Sequence, residues 1–314
     1  MTKLSAQIPE EMAGMRLDQV LAELFSDYSR SKLQTWLKAG RVMINGAQLK
    51  AKDKVEGGES IELDAEAEVV LECEAEAIPL DIVYEDESLL IINKPAGLVV
   101  HPAVGNWTGT LQNALLNHVP SLETLPRAGI VHRIDKETSG LLMVAKTLQA
   151  HNSLVTQLQE RSIEREYLAI TKGRIIAGAT IDEPIGRHPT DRKRYSVRQT
   201  GKDAVTHYRV VERFARHTLI RVKLETGRTH QIRVHMAYVH FPLVGDPVYG
   251  GRFQLPPDCS EQLEIELRAF KRQALHAEKL GLLHPETQEY YEWIQPLPDD
   301  MIRLLAALRD NEQP

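Results

Sequence analysis

Cysteine is nearly absent: Cys73 and Cys259 are the two thiols in a chain of 314 residues. Two cysteines can neither staple a fold of this size nor complete a zinc site, so a disulfide scaffold and a zinc-organised domain are excluded. A reducing compartment, the cytoplasm, is the expected home. Long apolar runs are missing too. No stretch of about 18 apolar residues occurs, and residues 1–11 contain no apolar signal-peptide segment, so neither a membrane span nor secretion is expected. Aromatic residues make up 5% of the chain, and no low-complexity segment is present. What is there is an ordinary globular composition, 42% apolar and 26% charged. The length sets a prior of about two domains.

The formal charge of −6 argues against a polyanionic partner until it is divided along the chain. Residues 127–235 hold 21 Lys and Arg against 11 Asp and Glu, and residues 16–54 hold 8 against 4. Between these blocks, residues 56–76 carry nine carboxylates and no basic side chain. Binding to a nucleic acid needs local positive surface rather than a basic mean, and an acidic spacer stays clear of phosphate. On charge alone, solvated faces explain the blocks as well.

Leu17, Val20, Leu21 and Leu24 recur at the spacing of one helix face, and Phe25 extends it. A second helix is predicted after Ser29 or Ser31 as N-cap, with Leu33, Trp36 and Leu37 on one face and an end at Gly40. Val42–Ile44 and the Asn45-Gly46 pair then signal a hairpin, and Val55, Gly57, Gly58, Ile61 and Leu63 a second short one. A unit of about 60 residues has a marginal core, so it is expected to serve something besides stability. The strings Arg16-Leu17-Asp18, Tyr28-Ser29-Arg30-Ser31, Gly40-Arg41-Val42, Ile44-Asn45-Gly46 and Gly57-Gly58-Glu59 resemble the S4 RNA-binding module in order and spacing. The resemblance implies a tail over residues 1–15 and an S4 domain over 16–76 that ends in the acidic linker. It also implies that Arg16, Arg30, Lys32, Lys38 and Arg41 present positive charge to RNA. Each of them taken singly is a surface cation.

In the remainder, strands are predicted at 82–84 and 89–93 around the turn Glu85-Asp86-Glu87, and at 98–100, 141–145 and 167–171. Helices are predicted at 110–116 and 148–158, and residues 204–211 and 219–224 alternate like paired antiparallel strands. Without a regular βαβ rhythm, this is an α+β architecture with a mixed, largely antiparallel sheet.

The chemistry is densest at Gly129-Ile130-Val131-His132-Arg133-Ile134-Asp135-Lys136-Glu137-Thr138-Ser139-Gly140. Asp135, flanked by cations in a turn before a strand, suits nucleophilic or general-base work, although a single such Asp is more often a turn cap. The run from Arg133 resembles the signature of the RluA family of pseudouridine synthases, with Ile134 where Leu is usual. Asn93-Lys94-Pro95-Ala96-Gly97-Leu98, Arg165-Glu166-Tyr167, Thr226-Gly227-Arg228-Thr229-His230-Gln231-Ile232-Arg233 and Pro242-Leu243-Val244-Gly245-Asp246 match further blocks of that family. The likeness runs over about residues 78–298, within a catalytic domain spanning 77–314.

This resemblance implies a cofactor-free, metal-free isomerase that detaches uracil at N1, turns it and rejoins it through C5. Asp135 takes the catalytic position, attacking C1′ or C6 or removing the C2′ proton. Tyr167 would lie against the uracil and help remove the C5 proton, and Arg228 would pair with Asp135. Arg133 would fill the place in the RNA stack that the flipped uridine leaves, and Leu243 would pack the flipped base. The implied partner is 23S ribosomal RNA or a large-subunit precursor, with the uridines of helix 69 as target, and the implied enzyme is monomeric. Arg192-Lys193-Arg194 with Tyr195 can contact backbone and stack on an unpaired base, or form a plain solvated loop. His132, His230 and His235 lack the spacing of a metal motif. Three rivals remain: a synthase of the same family acting on another site in ribosomal RNA or on transfer RNA, an RNA-binding assembly factor without activity, which would not need Asp135, Tyr167 and Arg228 together, and a glycosidase, which needs a second acid.

Overall fold

In the computed structural model, residues 2–25, 28, 30–65, 73–102, 106–191 and 193–312 are described. The chain forms two units, Met1–Glu72 and Cys73–Pro314.

The first unit contains β1 (Thr2–Gln7), α1 (Leu17–Leu24), α2 (Arg30–Lys38), β2 (Val42–Ile44) and β3 (Ser60–Ala65). Both predicted helices form, and Leu17, Val20, Leu21, Leu33, Trp36 and Leu37 are buried together against Ile61 and Leu63 of the sheet. Buried Asp18 joins the helices, accepting from Gln34 Nε2 at 2.8 Å and Arg16 Nε at 3.0 Å. The sheet departs from expectation. Residues 2–7 are no tail: they pair antiparallel along the whole of β3, which lies between β1 and β2. Leu4, Ala6 and Ile8 alternate with polar neighbours, so this edge strand covers core that two strands alone would leave wet. Asn45 and Gly46 both take positive φ, as a tight turn requires, yet they close only the Ile44–Ala47 bridge. The pairing of β2 is with β3, and the predicted second hairpin over 55–63 does not form.

The second unit contains β4 (Ile82–Glu85), β5 (Leu89–Lys94), α3 (Leu111–His118), β6 (Ser139–Ala145), α4 (Leu148–Gln159), β7 (Glu164–Lys172), β8 (Ala179–Asp182), β9 (Ile185–Arg187) and β10 (Tyr195–Val197). It continues with β11 (Val205–Arg213), β12 (His217–Leu224), α5 (Gln231–Tyr238), α6 (Glu261–Ala269), β13 (Leu275–Leu283), β14 (Tyr290–Ile294) and α7 (Asp299–Asp310). Nine strands form one sheet in the order β4-β5-β6-β13-β7-β12-β11-β8, with β14 on β13, while β9 and β10 make a separate ribbon. One pair, β13 with β6, is parallel and the rest are antiparallel, which is the expected mixed sheet. Gly140 allows that pairing, because a Cβ there would lie 2.2 Å from Ala277 O. Helices cover both faces. Leu90 and Ile92 of β5 pack on the α3 and α5 side, while Leu89 and Ile91 pack on α4. Residues 98–100, predicted as a strand, make only the isolated Val99–Thr110 bridge, and Thr110 caps α3 reciprocally with Asn113. Among the described residues no helix is long and apolar enough to cross a membrane.

Candidate active site

Asp135 sits in the loop that enters β6, and that loop is pinned from several sides. Lys136 O accepts from Lys94 Nζ at 2.9 Å and from Gly97 N at 2.9 Å, and Thr138 Oγ1 accepts from Gln273 Nε2 at 3.0 Å. Lys94 is wholly buried, and its other two donors go to Pro95 O and Leu98 O. Burial pulls its ammonium down to about 7, against the opposing pull of Glu137 and Asp135. Upstream, Arg127, Ala128 and Gly129 are successively left-handed, a backbone costing about 1–2 kcal/mol for each residue with a Cβ. Gly129 has no substitute here, since a Cβ would meet Ala145 O at 1.9 Å.

Asp135 is one of two acids gripped by a single guanidinium. Arg233, on the first turn of α5, donates from Nη1 to Asp135 Oδ2 at 2.9 Å and forks onto Asp246 through Nε and Nη2 at 2.7 and 2.9 Å. Burial works against this cation, but the two carboxylates outweigh it and push Arg233 above its ordinary value. Burial likewise opposes Asp246, and Arg233 with the backbone N–H groups of Tyr249 and Val248 holds it below the carboxylate range.

The arginine expected against Asp135 is therefore the wrong one. Arg228 is exposed on the cleft rim, and its Nε donates to Asp203 O at 2.9 Å. The cause is Gln231, whose amide is satisfied from both sides by Thr226, the Arg228 N–H, Val205 O and Thr206. That lock turns the loop before α5 outward and sends the next cation, Arg233, inward. A cation between Ile232 and Val234 was the signal available in the sequence, since a buried guanidinium demands a counter-ion.

Tyr167, on β7, lines the same cleft as Asp135 and is 6% exposed. Burial raises its hydroxyl above the ordinary tyrosine range, with Arg165 opposing and Asp135 adding. Ile134, Leu224, Ile232 and Leu275 give the cleft an apolar floor, and Asp135 is the only carboxylate among the described residues lining it. Leu243 is not part of that floor. It is fully buried in the core behind it, because residue 243 bridges to Thr171 at the sheet margin and its side chain points inward.

A second cleft of about 860 Å³ shares Arg133, Arg165 and Arg228 with the first and adds Arg127 and Arg161. Arg165 is buried with its Nε unpartnered, and its Nη2 donates to Glu225 O at 3.3 Å. Of the predicted basic insertion, Arg192 lies outside the described residues and Lys193 is exposed. Arg194 turns inward over the Tyr249 ring at 5.6 Å, and half-buried Tyr195 packs edge-on against His230. In the first unit, Arg16 and Lys38 are exposed and Arg41 half-buried, and the side chains of Arg30 and Lys32 lie outside the described residues. The three histidines serve separate ends: His132 Nε2 accepts from Met143 N, His235 bonds Thr206 and Glu183 O, and His230 bonds Tyr249.

A single acid over an apolar floor, beside a tyrosine and an arginine-rich cleft, is suited to covalent or proton-transfer chemistry on a planar base carried by a polyanion. Among the described residues no second acid lines the cleft, since Asp246 is buried behind Arg233, so the pair a glycosidase needs is not presented there. The family model for RNA pseudouridylate synthases matches residues 88–238, and the S4 domain model matches 15–61. The chain belongs to the RNA pseudouridine synthase family and is an isomerase of that class, with an S4 domain at its N-terminal end. It is 56% identical over 313 residues to the ribosomal large subunit pseudouridine synthase D of Pseudomonas aeruginosa, covering 100% of this chain and 98% of that protein. Its identity to the protein of the same name from Escherichia coli K12 is 54%, covering 98% and 94%. Among solved structures, human RNA pseudouridylate synthase domain containing 4 superposes with a TM-score of 0.57 at 25% identity, covering 73% of this chain and 93% of that one.

Proposed function

We propose that this enzyme converts uridines of large-subunit ribosomal RNA, those of helix 69 in 23S RNA, to pseudouridine, with Asp135 as the catalytic carboxylate. The observation that carries this reading is Asp135 held by Arg233 beside Tyr167 over the apolar floor. The near-full-length similarity to synthases named for the ribosomal large subunit supports the RNA class. Arg233 orients Asp135 towards the sugar–base junction, and Tyr167 stacks at the base edge where the C5 proton leaves. A flipped nucleotide enters the cleft and its flanking strand follows the arginine-lined groove, where Arg133 takes the vacated place in the stack. A hairpin loop suits this pocket because its bases are already partly unstacked.

The test is pseudouridine mapping of total RNA from cells with the gene, without it, and with Asp135→Asn. Helix 69 sites are expected to vanish in the last two. Pseudouridines lost elsewhere while helix 69 is unchanged would reassign the target. Asparagine-variant turnover within about tenfold of wild type, a barrier change of only about 1.4 kcal/mol, would remove Asp135 from the chemistry.

A further inference from the structure

His230 is placed where the reaction as described so far does not use it. It precedes α5 with φ 58 and ψ 21, a left-handed backbone that a residue with a Cβ rarely adopts, and this conformation turns its ring into the cleft. The ring is fixed from behind. Tyr249 Oη accepts from Tyr195 N at 2.9 Å and lies 2.9 Å from His230 Nδ1, a geometry in which the phenol donates its proton to Nδ1 while its oxygen is occupied by the Tyr195 N–H. With the phenol as donor, the neutral imidazole carries its hydrogen on Nε2. Burial, with Arg233 and Arg133 nearby, keeps His230 below its ordinary value despite Asp135 and Asp246. Tyr249 is itself seated by Asp246, whose Oδ1 accepts its backbone N–H at 3.0 Å, and its ring lies within 5.1 Å of the Arg233 guanidinium. The acid that holds Arg233 thus also holds the tyrosine that orients His230.

His230 Nε2 lies 3.9 Å from Asp135 Oδ1. That is too long for a direct hydrogen bond, yet two bonds of about 2.8 Å meeting at one oxygen span it. One donor and one acceptor at this separation are complementary to a single hydroxyl. The ribose 2′-oxygen is two bonds from C1′ and one from C2′, so it comes beside any carboxylate aimed at either carbon. We propose that His230 Nε2–H and Asp135 Oδ1 together grip the 2′-hydroxyl of the target uridine, the imidazole donating to its oxygen and the carboxylate accepting its proton, which makes His230 a determinant of ribose over deoxyribose. The left-handed backbone is the conformational cost of aiming that donor. This inference rests on the reading of Asp135 as the catalytic carboxylate.

The test is a cycle of enzyme and substrate under single-turnover conditions, using one RNA fragment with uridine or 2′-deoxyuridine at the converted position. Wild type is expected to lose about tenfold to a hundredfold on the deoxy substrate, the worth of hydrogen bonds left unmade in a buried polar site. His230→Leu is expected to lose a similar factor on the ribose substrate and little more on the deoxy one, so its discrimination collapses. His230→Gln, which returns an N–H near the Nε2 position, restores part of the ribose rate, and Tyr249→Phe, which frees the tautomer, falls between. Discrimination by His230→Leu equal to that of wild type overturns the inference. If the leucine variant does not fold, wild-type discrimination in His230→Ala, which also lacks the donor, overturns it instead. Wild type that converts neither substrate would refute the reading of the site itself, a separate outcome.

Discussion

A guanidinium has five donors in a rigid fork, and Arg233 spends them on two acids at once, which no lysine can copy. Removing it leaves Asp246, whose carboxylate is wholly inaccessible, without its counter-ion. Arg233→Ala is therefore expected to cost about 3–5 kcal/mol of stability. Arg233→Lys is expected to fold and bind RNA but to lose rate far out of proportion to affinity. Arg228→Ala behaves in the opposite way, because that side chain lies on the rim with a carbonyl as its partner. Its salt slope of binding should fall by about one while its single-turnover rate stays within about tenfold of wild type. Binding titrations and single-turnover rates on the same RNA decide both, and an Arg228 rate loss larger than its affinity loss would return it to the chemistry.

At the scale of elements, the second unit encloses histidines that are costly to charge. His132 is half-buried, accepting from Met143 N, and loss of hydration pulls it down to about 3, with Arg165 adding to the shift. His217 is pulled down to about 4, burial first and Lys172 second. Since these folded values lie below the unfolded one of about 6.5, the unfolded chain binds protons that the folded chain refuses. Stability is thus fully present above pH 6.5 and is lost as pH falls towards 3–4, with each group contributing at most about 1.4 kcal/mol per pH unit. In urea unfolding at pH 7 and pH 5, His132→Gln, which keeps an acceptor for Met143 N, should lose about 2 kcal/mol less than wild type. Equal losses would mean that His132 is not held neutral. The elements themselves were unevenly legible. Helices with a clear apolar face, α1, α2 and α4, lie where periodicity places them. Periodicity places no element after Leu224, although Leu263 with Leu267 and Met301 with Leu304, Leu305 and Leu308 do mark α6 and α7. The central strand β13 is hidden for a different reason: flanked on both edges and covered on both faces, it shows no alternation.

On the scale of the molecule, the proposed function assigns RNA binding to the first unit and chemistry to the second. Cys73–Pro314 contains Asp135, Arg233, Tyr167 and the arginine groove, while Met1–Glu72 has its own small core and exposed cations at Arg16 and Lys38. Deleting residues 1–72 should weaken RNA binding and flatten its dependence on salt, yet leave measurable turnover at saturating substrate. An unchanged salt slope would show that the first unit grips something other than phosphate.

The residue order by itself determined the two units, the helices α1 to α4, the mixed sheet as a class and the family, because short-range periodicity and contiguous motif strings carry that information. It also marked Asp135 and Tyr167, each inside such a string. Only the tertiary structure decided which cation meets Asp135, since Arg228 and Arg233 share one string and the partner lies 98 residues away. The same holds for Leu243 turning into the core, for residues 2–7 adding an edge strand to a sheet, and for His230 reaching the cleft beside Tyr249. The physical reason is that hydrogen-bond partners are chosen by geometry. A helix phase set by Gln231, a left-handed residue before it and a strand pairing across more than a hundred residues fix where each side chain points, and no local pattern records those distances.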